Sequence, residues 1–375
     1  MLNSTAPDVR ASPLLQLHQE LGAVDLEAAL TLGRPAHFGS AAEEYRELQS
    51  GCGLIDTSDR STLELSGADR HRFLNGMVTG DVGSLEAGEG LHCFFTSPRG
   101  RVLSDAVVIA TSDPTEKLVL LLPPGMALEI KAHLSQFVVA DRVEITVAED
   151  FVCLRILGPT SVASLGERAS GGELPTANWH SQVVTIGDIE VLVTAEDLGD
   201  LPGFNLLVDR SQAEALSRNL LQSDLGHSHH PIRPCGSAAL ETTRIETGTL
   251  QFGKDFSVEN FPKETGIDSA VSYTKGCYLG QEVVARIHYR GQVNHVARGL
   301  LFEGEASAEG TAVQSGGRDI GSLSSATQSP RLGRGIGVSV LLRSCAEPGS
   351  RVDLADGKTA EVLELPFELP APGVY

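Results

Sequence analysis

The 375-residue sequence has no Cys-x-x-Cys pair; its six cysteines (Cys52, Cys93, Cys153, Cys235, Cys277 and Cys345) are scattered singly. That spacing supports neither a disulfide framework nor an all-cysteine metal site, so free thiols are expected. Basic residues are scarce too: 29 Lys and Arg against 49 Asp and Glu give a formal charge of −20. Such a field repels nucleic acid and anionic membrane, so direct contact with either is not expected without a local reversal of charge. Long apolar runs are missing. Leu118–Leu122 ends at Pro123-Pro124, far short of the about 20 residues that a membrane helix needs. The first 30 residues lack the basic start and apolar block of a signal peptide and the arginine-rich texture of a transit peptide, which predicts a cytoplasmic protein. No Gly-x-Ser-x-Gly surrounds any serine, and Gly333-x-Gly335-x-Gly337 lacks a following helix, so it reads as a β-turn and not a nucleotide loop.

What is present suits a folded protein of two or three domains: 41% apolar and 21% charged residues over this length can bury a sizeable core. Residues 1–12 are polar and read as a frayed end. A helical stretch with Ala41, Tyr45 and Leu48 on one face ends near Gly51. A faint internal repeat follows, offset by 91 residues: Leu63-x-Leu65-x-Gly67 is echoed by Leu154-x-Ile156-x-Gly158, and Leu74 by Leu165. Each copy reads as strand, glycine turn and helix. Each continues into a hairpin, turning at Ser97-Pro98-Arg99-Gly100 or at Gly187-Asp188. An apolar strand and an amphipathic helix come next: Leu118–Leu122 before Ile130, Leu134 and Phe137, and Phe204–Val208 before Ala213, Leu216 and Leu220. The order strand–helix–hairpin–strand–helix, twice, predicts an α+β protein with two ferredoxin-like subdomains, the alternative being chance likeness between ordinary α+β segments. Beyond about residue 290, short β-type runs alternate with Gly- and Ser-rich turns (Ala297–Phe302, Asp319–Ser325, Gly335–Leu341, Arg351–Leu354, Ala360–Leu365), which reads as a small C-terminal β-barrel. The expected divisions are 13–148, 149–288 and 289–375.

The densest motif is Tyr273-Thr274-Lys275-Gly276-Cys277-Tyr278-Leu279-Gly280-Gln281-Glu282, followed by a short amphipathic helix through Val283–Ile287. A thiol near a helix N-terminus and two residues from a lysine sits in positive potential that favours thiolate; the alternative is a buried structural cysteine. From Lys275 to Arg298 there are four basic residues, Arg286 among them, and one acid. This local reversal suits an anionic ligand or partner, or else a solvated helix face. His227-x-His229-His230 looks metal-like but reads as a polar loop, so no metal site is expected.

Lys275-Gly276-Cys277-Tyr278-x-Gly280-Gln281-Glu282 resembles the signature of the YgfZ family, folate-dependent proteins that support iron–sulfur cluster assembly and repair. These are relatives of the T-protein, the aminomethyltransferase of glycine cleavage. Gly53-Leu54-Ile55-Asp56, Leu65-x-Gly67-x-Asp69 and Phe73-Leu74-Asn75 are similar to a stretch that both groups share. Arg244-x-Glu246-x-Gly248 and Gly253-x-Asp255 resemble a second shared pattern. The resemblance covers most of the chain. It implies a cloverleaf arrangement around a cavity for tetrahydrofolate or a one-carbon derivative. Arg244 and Glu246 would line or brace that cavity, their alternative being an ion pair between neighbouring elements. Arg286 and Arg290 would draw the folate's glutamate tail, and Cys277 with Lys275 would form the chemical centre. The implied partners are iron–sulfur assembly factors or client enzymes, with tRNA modification affected only indirectly.

Two departures from the T-protein pattern bear on chemistry and disfavour aminomethyl transfer from a lipoyl carrier. The adjacent acids that follow the Pro-Arg-Gly turn in T-proteins are Ser104-Asp105 here, which keeps Asp105 as the catalytic and folate-binding carboxylate. The segment whose glutamate holds the pterin is one residue longer here and offers Asp200. The sequence therefore predicts a tetrahydrofolate-binding protein of iron–sulfur maintenance centred on Cys277. A folate-dependent aminomethyl transferase is the alternative.

Overall fold

A computed structural model describes residues 12–24, 34–112, 116–222 and 230–370. By contacts the chain divides into two compact units. The first takes the chain up to Cys93, Asp105–Asp197 and Leu201–Leu240; the second takes Phe94–Ser104, Leu198–Asp200 and everything from Glu241 onward. Both α+β sheets fall mainly in the first unit, and residues 241–288 go with the barrel.

The first unit carries two sheets. One has the spatial order Gly90–Thr96, Val102–Ala110, Leu118–Leu122, Ser61–Ser66, Glu144–Val147, its first hairpin ending in the second unit. The other runs Arg233–Pro234, Gly53–Asp56, Phe151–Leu157, Gly203–Asp209, Ile189–Ala195, Ser181–Ile186, Ala169–Ser170. Ser61–Ser66 and Phe151–Leu157 occupy equivalent places, each antiparallel to both neighbours, so the repeat read from the sequence is a repeat of structure. Leu63, Leu65, Leu154 and Ile156 are fully buried, each burial stabilising by about 1.5–3 kcal/mol. Leu74 and Leu165 are buried equally, on the helices Arg70–Asn75 and Ser161–Gly166.

The glycine of each copy has a steric cause. Gly67 and Gly158 have φ of +97° and +133°, and a Cβ would fall 2.1 Å from the Arg142 carbonyl oxygen and 2.4 Å from that of Gly51. In each sheet the glycine thus lets the first strand of the repeat touch the backbone entering its neighbour. The copies differ in that neighbour's origin. The first sheet uses Glu144–Val147, downstream of the helix Ala127–Ser135. The second borrows Gly53–Asp56 from upstream of both copies, with Gly53 opposite Leu157 and Asp56 opposite Leu154.

The helix expected to end near Gly51 spans Ala41–Ser50, capped by Ser40, whose side chain accepts from the Glu43 N–H, with Tyr45 and Leu48 buried. In the second unit the barrel is closed, in the order His295–Phe302, Arg334–Leu342, Arg318–Ser329, Ala312–Ser315, Arg351–Leu354, Thr359–Leu363. Leu300, Phe302, Val313, Leu323, Leu341 and Val362 fill it. Ala312–Ser315 was not expected: with only Val313 fully turned inward, it shows little alternation. No helix among the described residues is long and apolar enough to cross a membrane.

Candidate functional site

In the first unit, the strand Val102–Ala110 presents Asp105, with about a fifth of its side chain exposed, while the preceding Ser104 is fully buried. Successive side chains of a strand point to opposite faces, so only one of the two positions after the Pro-Arg-Gly turn can serve this face. His92, from the strand Gly90–Thr96, meets Asp105 with Nε2 3.0 Å from Oδ2. A carboxylate only accepts, so Nε2 donates. The Trp179 ring stands 5.9 Å from the His92 ring. Trp179 has φ of +68°, rare for a bulky residue, and its backbone N–H donates to Ala195 O at 2.8 Å.

A charged cluster in the same unit was not foreseen. Arg155 donates from Nη1 to Glu196 Oε1 at 3.0 Å and from Nη2 to the Glu196 carbonyl at 3.1 Å. Arg60 Nη1 donates to Glu196 Oε2 at 3.3 Å, and Asn205 Nδ2 donates to the same oxygen. Burial alone would raise the Glu196 carboxyl, but Arg155 and Arg60 hold it down to about 2. Two guanidinium groups on one carboxylate leave a positive excess, and the charge of Asp105 reaches Arg60. The available signal was a basic residue inside the apolar run Phe151–Leu157 and an amide inside Gly203–Asp209. Polar side chains at fully buried strand positions need partners.

In the second unit, the motif forms an extended loop leading into the helix Gln281–Arg290, with Gly280 as its N-cap at φ of +85°. The hairpin turn at Ser97–Gly100 packs against it: Thr96 Oγ1 donates to Leu279 O at 2.5 Å, and a Cβ on Gly100 would meet Val283. Gln281 Nε2 reaches back to Gly276 O at 3.4 Å. Lys275 Nζ stands 5.0 Å from the centre of the Tyr278 ring. Tyr278 is buried, its hydroxyl has no hydrogen-bond partner among the described residues, and burial first, with Tyr273 second, pushes its phenol up. Tyr273 stacks on His288 at 3.6 Å, and burial, then Asp268 and Tyr289, push its phenol up to about 12. Gly276, Cys277, Glu282 and Arg286 are exposed.

Arg244 and Glu246 are buried in the second unit and bonded internally. Arg244 donates to Asp255 at 2.6 Å, to Ser325 at 2.5 Å, to the Thr249 carbonyl at 2.9 Å and to both oxygens of Glu241. Glu246 accepts from Ser329. This geometry favours the ion-pair alternative for Arg244. Asp200 is exposed; the preceding Gly199 is left-handed, and a Cβ there would fall 2.6 Å from the Thr247 side chain. Asp105 thus belongs to the first unit, and Asp200, Arg244, Glu246 and the motif to the second.

Of the cysteines, Cys52, Cys93, Cys153 and Cys235 are buried, Cys345 is half-buried and Cys277 is exposed. The buried structural reading of Cys277 therefore fails. His227 and His229 lie outside the described residues. No group of three His, Cys, Asp or Glu able to hold a metal ion occurs among the described residues.

The family described as the GCVT N-terminal domain matches residues 14–275, and the glycine cleavage T-protein C-terminal barrel domain matches 297–367. The aminomethyltransferase of Halothermothrix orenii is 25% identical over 96% of this chain and all of its own length. That of Streptomyces avermitilis is 26% identical over 98% of this chain and 99% of its own. The crystal structure of glycine cleavage system aminomethyltransferase T from Bartonella henselae has the same fold, with a TM-score of 0.84 at 20% identity over 96% of this chain and 98% of its own.

Proposed function

The chain belongs to the glycine cleavage T-protein family, and on that premise we propose that it binds tetrahydrofolate and transfers one-carbon units of the aminomethyl type, with Asp105 as the working carboxylate. The observation that carries this reading is the Asp105–His92 pair: a partly exposed carboxylate oriented by an imidazole donor. Folate's pterin presents N–H donors, and its bridging nitrogens carry the one-carbon unit; a carboxylate that keeps accepting capacity suits both. Asp105 fits that requirement, whereas Arg244 and Glu246 face internal partners. His92 Nε2–H fixes the carboxylate's orientation, and Asp105 takes up or returns a proton at Oδ1 or Oδ2. In the second unit, Asp200 is exposed after the left-handed Gly199 and is a carboxylate with accepting capacity of its own.

Two titrations test the proposal. Calorimetry with tetrahydrofolate should give a dissociation constant in the micromolar range, about −8 kcal/mol, weakening with salt if Arg286 and Arg290 attract the glutamate tail. Tetrahydrofolate-dependent release of ammonia from an aminomethyl-loaded lipoyl carrier protein should then occur, and Asp105→Asn should lose it. No heat and no thermal shift at millimolar folate would sink the reading.

One observation favours a second reading, the YgfZ-type role in iron–sulfur maintenance: the thiol of the Lys275–Glu282 motif is exposed. On that reading Cys277→Ser leaves folate binding intact and abolishes support of iron–sulfur enzymes. Unchanged support in a complemented deletion strain would count against it.

A further inference from the structure

In the first unit, the chain from Ser12 through the short helix Leu15–Glu20 is fastened at one carboxylate, Asp56, the last residue of the borrowed strand Gly53–Asp56. Ser12 Oγ donates to Asp56 Oδ2 and itself accepts from the Leu14 N–H at 3.0 Å. His18 Nε2 stands 3.3 Å from the same carboxylate oxygen. The other oxygen, Oδ1, accepts from the Ser58 N–H at 2.8 Å. Between these anchors Leu14 and Leu17 are buried, Leu14 in the core that contains Cys52, Leu54 and Ile232.

His18 is 2% exposed. A carboxylate only accepts, so the ring proton sits on Nε2 and leaves Nδ1 a bare acceptor. Nδ1 is buried with no hydrogen-bond partner among the described residues. A second proton would turn it into a buried N–H without an acceptor and put a net charge on the ring. Asp56 faces that charge, but its oxygens already serve Ser12 and Ser58. Among the described residues, the other charges nearby have partners of their own. Phe38 meets the imidazole edge-on, with centroids 5.7 Å apart, and beside it Glu44 accepts from the Phe38 and Gly236 N–H groups. His37 Nδ1 accepts from the Gly39 N–H at 3.2 Å. Asp59, which feels Asp56, is held by Arg34 at 2.6 Å, and on the helix itself Glu20 turns outward to Arg218 at 2.6 Å.

Burial, only partly offset by Asp56, accordingly lowers the imidazole from its ordinary 6.5. Released into water, the ring offers both nitrogens to solvent and takes up a proton more readily. Docking is therefore strongest above pH 6.5 and weakens as pH falls below it.

We propose that His18 is an acid-release latch: protonation of the imidazole frees the segment Ser12–Glu20 from Asp56 and uncovers the apolar surface beneath Leu14 and Leu17. The latch does not depend on folate use.

Hydrogen exchange of the full chain, read by peptide mass spectrometry and corrected for the intrinsic exchange rate at each pH, tests it. Protection of peptides within residues 12–21 should fall at least about fivefold between pH 7.5 and pH 5.0, and about thirtyfold is the most that one proton allows. Peptides from the strand Phe151–Leu157 should keep theirs, which separates release from unfolding. His18→Gln retains a donor for Asp56 and takes up no proton, so its segment should be protected alike at both pH values. In the wild type, the His18 ring C–H signals followed by NMR should titrate with a midpoint below 6.5. Four results would overturn the proposal: wild-type protection that does not fall, loss that is equal in the segment and in Phe151–Leu157, a fall that persists in His18→Gln, or a His18 midpoint at or above 6.5.

Discussion

Gly280 stands so close to Ser97 that a Cβ on the glycine would fall 2.5 Å from the serine's carbonyl oxygen. Gly280 also has φ of +85°, the conformation that starts the Gln281–Arg290 helix. Gly280→Ala therefore meets both a clash and left-handed strain, with an expected loss of at least about 2 kcal/mol in denaturant unfolding. Gly276, four residues earlier, has nothing within 4 Å of its would-be Cβ. Gly276→Ala should stay within about 0.5 kcal/mol of wild type. Equal stabilities for the two variants would mean that the hairpin turn does not hold the motif.

Glu196 is the negative centre of two guanidinium groups. Removing its charge leaves Arg155, which is 7% exposed, without its main partner, and Glu196→Gln should cost about 3–5 kcal/mol. The wild type should show the same coupling in acid. The carboxyl is depressed on folding from 4.5 to about 2. Its contribution is therefore complete above pH 4.5 and is lost as pH falls through 2, about 3 kcal/mol in all. Denaturant unfolding across pH 2–5 should show a shallower acid loss in Glu196→Gln than in wild type.

Limited iodoacetamide treatment followed by peptide mass spectrometry should label Cys277 first. Burial pushes the Cys52 thiol up to about 12 and raises those of Cys153 and Cys235, so these remain protonated at neutral pH. Cys345, half-buried, should follow. Labelling of Cys345 ahead of Cys277 would remove the case for a reactive thiol in the motif.

Asp105→Asn keeps the size of the side chain and removes its charge. Folate-dependent turnover should fall by about 10²–10⁴-fold. His92→Gln, which can still donate to Asp105, should fall less. If His92→Gln is as damaging as Asp105→Asn, the imidazole does more than position the acid.

The sequence showed much of this architecture because side chains carried the signal. Alternating leucines marked Ser61–Ser66, a glycine ended it, and the same spacing recurred at Leu154-x-Ile156-x-Gly158. Periodicity also placed the helix faces of Tyr45 and Leu48, and of Leu216 and Leu220. Backbone pairing has no such signature. That Gly53–Asp56 lies beside Phe151–Leu157 follows from main-chain hydrogen bonds across roughly a hundred residues, and no residue type announces them. The site was legible only in part for a similar reason. Cys277 stands in a dense local motif, whereas Glu196 acquires its partners from three separated segments, at Arg60, Arg155 and Asn205. Arg244 was visible, but its partner Ser325 comes from the barrel, and only the fold shows how many of its donors are spent internally.

The borrowed strand also governs how the protein can be made and cut. During vectorial synthesis Gly53–Asp56 leaves the ribosome before either repeat, then waits for Leu157, which at 5–20 residues per second is a delay of roughly 5–20 s. For that interval a buried strand has no partner on either side, since Arg233–Pro234 follows later still, and its early exposure is where chaperone engagement would matter most. Once paired, the same strand acts as a staple. A chain nicked between residues 68 and 150 would have its first sheet interrupted, yet its two pieces would remain held together by Gly53–Asp56, one fragment's strand zipped into the other fragment's sheet.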